Sequence, residues 1–292
     1  MVKYLLLLSF AFATVTDIDG NVYETVQIGD QLWMAENLKV THYNNGDPIT
    51  HVTNNGDWGS YDEGQYGVYD NDPSYAETYG NLYNWAVVDD SRGVCPEGWH
   101  VPSDDEWKEL EMAVGMSQSE ANDTGHRGTN EASKLAGNAV LWNEGDLKDN
   151  ARFGVSGFNA LPSGYHVTSS MVGGYYGIGS LAYFWSSSDF IYYDPYSGND
   201  IIVVWTRSLS NDNASVFRFY DVRQHGFSLR CVSDAEMLGD LNGDGIINVL
   251  DVVTIVNIIL NGGDYNPLAD LNLDSTVDIL DIVQLINIIL NN

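Results

Sequence analysis

The chain has 292 residues, enough for one large domain and a small one. Hydrophobic residues make up 44% and aromatic residues 12%, which supports a packed core and excludes wholesale disorder. With 41 Asp and Glu against 12 Lys and Arg, the formal charge of −29 excludes nucleic acid and anionic lipid surfaces as natural partners, because both need clustered cations.

Residues 1–13 read as an export signal. Lys3 supplies the positive start, Tyr4 to Phe12 an apolar stretch, and Ala11-Phe12-Ala13 a small-x-small cleavage pattern. A buried N-terminal strand is the alternative. No later stretch reaches the roughly 20 apolar residues of a membrane span. Val22 to Ile28 and Gln31 to Met34 predict a hairpin about Gly29-Asp30. His42 to Tyr83, rich in Asn, Gly, Asp and Tyr, predicts long ordered loops. Ser103 caps a predicted helix over Asp104 to Val114, Glu106 completes a capping box, and Trp107, Leu110 and Val114 form its buried face. Short strands are predicted at Tyr183 to Ser187, Ile201 to Ser208, Ser215 to Tyr220 and Gly226 to Val232. The two cysteines, Cys95 and Cys231, read as a bonded pair in an exported chain, with two buried thiols as the alternative.

The C-terminal segment is an internal repeat. Asp240-Leu241-Asn242-Gly243-Asp244-Gly245 returns thirty residues later as Asp270-Leu271-Asn272-Leu273-Asp274-Ser275, and Val249 to Asn261 aligns with Ile279 to Asn291, eight of thirteen pairs being identical. Oxygen side chains fall at loop positions 1, 3, 5, 9 and 12: Asp240, Asn242, Asp244, Asn248 and Asp251, then Asp270, Asn272, Asp274, Asp278 and Asp281. Position 7 would use the backbone carbonyls of Ile246 and Thr276. This is the EF-hand calcium pattern, in which a hard cation collects six to eight oxygens, so two Ca2+ ions are expected. Asp stands at position 12 where EF-hands usually carry Glu, and Ser275 replaces the turn glycine of the first loop. Each loop precedes a predicted helix, Val249 to Leu260 and Ile279 to Leu290, apolar except for a thin polar stripe.

Two loop-helix halves without an entering helix resemble type I dockerins over Gly239 to Asn292. That resemblance implies a cohesin-type protein partner, recognised through loop positions 10 and 11, which are Val249 and Leu250, then Ile279 and Leu280. It also implies docking in two orientations and an exported, often polysaccharide-degrading, setting.

Upstream, Gln31 to Leu38, Tyr79 to Trp85, Cys95 to Trp107, Gly157 to Gly164, Phe184 to Ser188 and Gly226 to Val232 occur in an order that resembles the Fibrobacter succinogenes major paralogous domain. In that family two cysteines flank the fold much as Cys95 and Cys231 do. His100 to Trp107 is also similar to a stretch of formylglycine-generating sulfatase-modifying domains, which implies a C-type-lectin-like fold. The expected class is therefore α+β: a C-type-lectin-like mixed domain over 14–234 with short strands, long loops and few helices. A linker at 235–238 and a small all-α dockerin over 239–292, with two F-hand loop-helix repeats, complete the chain.

No catalytic residues stand out. The serines of Trp185-Ser186-Ser187-Ser188 lack a GxSxG turn, and the six histidines show no HExxH spacing. Trp142-Asn143-Glu144 is the nearest approach to a lectin calcium motif. Carbohydrate binding stays open through Trp58 and the loop tyrosines 61, 66, 69, 75, 79, 175, 176, 192, 193 and 196, against the alternative that they pack the loops. The sequence reads as a secreted, non-catalytic binding or structural module docked to a cohesin-bearing scaffold or cell surface. The alternative is a dockerin-borne glycoside hydrolase.

Overall fold

The computed structural model describes residues 14–54, 57–168, 173–195, 198–234, 238–242, 247–262, 266–272, 274 and 276–291. The expected export signal, most of the linker, Tyr196, Asp244, Gly245, Ile246 and Ser275 lie outside the described residues. The chain forms two compact units, Met1–Ser233 and Asp234–Asn292.

The larger unit is a mixed domain built on three sheets. The predicted hairpin forms from Val22–Ile28 and Gln31–Met34, with Val26 opposite Trp33. Gly29 turns it at φ +57°, and a Cβ there would lie 2.8 Å from the Ala113 side chain, so only glycine fits. Val232–Ser233 pairs with this hairpin at Trp33 and with Trp99–His100 on its other side. The two ends of the unit thus close on one five-stranded sheet. The Cys95–Cys231 disulfide, with Cα atoms 6.0 Å apart, ties the same corner.

The six-stranded sheet is dominated by an antiparallel meander of Leu181–Asp194, Asn199–Ser210 and Asn213–Val222. These strands are far longer than the short ones predicted. Ser186, Ser187 and Ser188 interrupt the alternation because they form a bulge between Trp185 and Asp189, after which pairing resumes to Asp194. Gly226 to Val232 is not the predicted strand: it makes isolated bridges at Gly226, Phe227 and Ser228, and only Val232–Ser233 is a strand. Its apolar residues are buried by crossing between sheets rather than by running along one.

The predicted helix spans Asp104–Ala113 with the Ser103–Glu106 capping box in place, and Val114 is its cap. Trp107 and Leu110 are buried, as the pattern implied, but so are Asp104 and Glu111. The two acids meet arginines from the sheet. Glu111 Oε1 accepts from Arg127 Nη2 and Arg207 Nε, each at 2.6 Å, and Asp104 accepts from Arg207 and Arg218. Burial by itself raises the Asp104 carboxyl, but the Arg218 hydrogen bond, Arg207 and Lys108 together hold it well below its usual range.

The recognisable motifs converge in the core. Arg230 is fully buried, with its guanidinium against the Phe158 and Asn159 carbonyls and Asn37 Oδ1, and over the Phe158 ring at 4.2 Å. Desolvation pushes its pKa down to about 9, with Glu36 opposing. Phe184 lies under the same guanidinium at 5.6 Å, so four of the six motif segments, its own included, meet at one side chain.

Candidate metal and docking site

The smaller unit has the 30-residue symmetry of its sequence. Its helices are Val249–Asn261 and Ile279–Asn291. Ile255 and Leu285, equivalent positions of the two halves, are both fully buried, and Leu241, Ile247, Leu271 and Val277 of the loops pack in the same cluster. Gly262 ends the first helix in the left-handed region, where its missing Cβ removes the penalty.

Position 12 is the centre of each loop. Asp251 is fully buried and accepts from Leu241 N (2.8 Å) and Asn242 N (3.2 Å) through Oδ1, and from Asn248 N (2.8 Å) through Oδ2. Asp281 repeats this with Asn272 N at 3.1 Å and Asp278 N at 2.8 Å. Asp251 also serves as the third helical residue of a capping box with Asn248, the place that Glu106 takes after Ser103.

Position 9 has a capping role that the ligand pattern did not reveal. Asn248 Oδ1 accepts from Leu250 N and Asp278 Oδ1 from Leu280 N, both at 2.7 Å, so each caps its helix. In EF-hands position 9 often reaches the ion through water, which leaves its oxygen available for such a cap.

At positions 1, 3 and 5 of the second loop, Asp270 Oδ1 accepts from Asp274 N (3.0 Å), and Asn272 Nδ2 donates to Asp274 Oδ2 (2.9 Å). Thr276 N donates to Asp274 Oδ1 at 2.9 Å. Among the described residues no three acidic, histidine or cysteine side chains converge as a metal cluster. Asp244 and Ile246 of the first loop are outside them.

The residues nevertheless fit a hard divalent cation. Asp240, Asp251, Asp270 and Asp281 are all buried, and Asp234–Asn292 contains ten acids and no Lys, Arg or His. Buried carboxylates need a compensating charge, and this unit has no side chain to supply one. The donors are carboxylate and amide oxygens, which suit calcium rather than zinc or copper.

The four residues expected to face a partner are exposed: Val249 and Ile279 at 65% each, Leu250 at 57% and Leu280 at 55%. Val253 and Val283, which sequence reasoning did not single out, extend both patches. Their recurrence at the same 30-residue offset was the available signal.

In the larger unit the candidate sugar-binding aromatics divide. Trp58, Tyr69, Tyr75 and Tyr175 pack together in a small core, while Tyr61, Tyr176 and Tyr193 are exposed. Trp142 is buried, Asn143 donates to Ser180 and Glu144 pairs with Lys148. Ser186 donates to the Trp205 carbonyl, and Ser188 accepts from Asp104 N at the start of the helix.

The Fibrobacter succinogenes major domain family matches residues 26–233, and the Dockerin type I domain matches 238–290. Type I dockerins generally bind calcium and cohesin modules and are typically carried by exported proteins. No helix of the described residues is long and apolar enough to cross a membrane. No curated protein and no solved structure matches the chain at a significant level. The chain belongs to the Fibrobacter succinogenes major domain family and carries a type I dockerin domain after it.

Proposed function

We propose that this chain is an exported, non-catalytic module that attaches through its C-terminal repeats to a cohesin-type protein on a scaffold or cell surface. Calcium is the ordering agent, one ion per loop. Asp240, Asn242, Asp244, the Ile246 carbonyl and Asp251 would hold the first ion, with Asn248 reaching it through water. Asp270, Asn272, Asp274, the Thr276 carbonyl and Asp281 would hold the second, with Asp278 as the water-linked ligand. The ion supplies positive charge to buried carboxylates and closes the loop on the start of its helix. The protein's own residues do the rest: Asp251 and Asp281 gather loop N–H groups, and the helix starts present Val249, Leu250, Ile279 and Leu280.

The observation that carries this reading is the pair of fully buried position-12 carboxylates in a unit devoid of cationic side chains. Calcium titrated into the metal-stripped full chain should be taken up at both loops, raise helical circular dichroism and permit capture by a cohesin. Uptake by an Asp251→Ala/Asp281→Ala double variant equal to that of the parent chain would remove the reading.

A further inference from the structure

The cavity between the first hairpin, the end of the Asp104–Ala113 helix and the 150–156 loop has a volume of about 520 Å³, within the range of small-ligand sites. Arg152 and Lys134 line it, in a chain whose surface is otherwise strongly acidic. Arg152 stands apart from the other cations. Each other Lys or Arg among the described residues faces a carboxylate, except Arg230, which is buried against carbonyls. Arg152 is exposed and has no carboxylate partner among the described residues.

The rest of the wall is chemically specific. Lys134 Nζ is held by the Val114 carbonyl at 2.5 Å and by Glu131 at 3.3 Å, so its position is set before any ligand arrives. Asn130 also lines the wall, but its Oδ1 is buried away from the opening and faces no ligand. Gln27 and Ser156 add polar edges, and Val155, 58% exposed, adds an apolar one.

We propose that this cavity binds the uronic-acid end of a saccharide. The Arg152 fork takes the carboxylate in two parallel hydrogen bonds, a geometry that guanidinium favours over ammonium. Gln27 and Ser156 meet ring hydroxyls, and Val155 lies against the C–H face. A charge of −29 repels a polyanion at long range, so the ligand is one terminal acidic sugar on an otherwise neutral chain, not a polyuronate.

The test is titration of the full chain, in calcium buffer and without any docking partner, with methyl glucuronide, methyl glucoside, a polyuronate and an acidic tetrapeptide. Amide shifts at Asn130 and Lys134 report binding. Saturable binding of the glucuronide, absent for the glucoside, weaker for the polyuronate and lost at least tenfold in Arg152→Ala with partial recovery in Arg152→Lys, is the expected result. Arg152→Ala should leave the thermal midpoint in place, which separates lost binding from lost folding. Equal binding of the two glycosides, an unaffected Arg152→Ala variant, or peptide binding as tight as that of the glucuronide would overturn the assignment. Neither result bears on calcium-dependent docking, because no cohesin is present.

Discussion

Glu111→Gln is the sharpest test of how the larger unit is held together. The side chain is fully buried, and its two oxygens accept three short hydrogen bonds: 2.6 and 2.8 Å from Arg127, and 2.6 Å from Arg207. Gln preserves the shape but removes the charge and one acceptor, leaving two buried guanidiniums with Asp104 as the nearest remaining anion. Breaking one partner out of a buried ion network costs about 3–5 kcal/mol, because the survivors stay desolvated without compensation. For a unit of this size that corresponds to a fall of roughly 6–20 °C in midpoint. All eight tryptophans lie between Trp33 and Trp205, so their fluorescence follows this unit and is silent on the C-terminal one. Urea is the appropriate denaturant, since it does not screen charge. A loss below about 1 kcal/mol at unchanged denaturant slope would refute the argument and show that water solvates the network. The companion variant Glu111→Leu/Arg127→Met/Arg207→Met should recover much of the loss, since it leaves few unpaired charges behind.

Reducing the Cys95–Cys231 bond releases a loop with a sequence separation of 136 and should cost about 4–5 kcal/mol on chain-entropy grounds, read as a shift in the urea midpoint with reductant. His166 is buried against Trp58 and Tyr175; burial, with His225 adding to it, pushes its pKa down to about 4. A base depressed on folding contributes stability above its unfolded pKa of about 6.5 that is lost as pH falls toward 4. The acid slope of stability across that window should therefore flatten in His166→Phe, and NMR should show the ring neutral at pH 5. On the docking proposal, Leu250→Asp and Leu280→Asp should each reduce cohesin capture by no more than about twofold, since either helix start serves as the contact. The double variant should abolish capture while leaving calcium uptake intact, and capture that survives it would place the contact elsewhere.

What was legible beforehand was local in origin. Ser103 and Glu106 lie three residues apart and define their helix start through contacts within one turn. The Gly29 hairpin depends on its own backbone conformation and on alternation in its flanks. The C-terminal unit was legible for a different reason: a duplication repeats the loop oxygens and the core and surface positions at one offset, so a single pattern is observed twice. The helix caps at Asn248 and Asp278 were missed, because a cap and a calcium loop call for the same side chains.

The sequence by itself determined the two-part organisation, the pairing partners of the first hairpin, the first long helix and the polar and apolar registers of the repeats. Only the tertiary structure decided that Glu111 and Asp104 face three arginines, that the serine run is a bulge inside a long strand, and that Arg230 gathers three distant segments. The physical reason is that a buried charge is tolerated only when partners from other elements arrive beside it. Those partners lie 16 to 193 residues away along the chain, a distance over which residue periodicity carries no information.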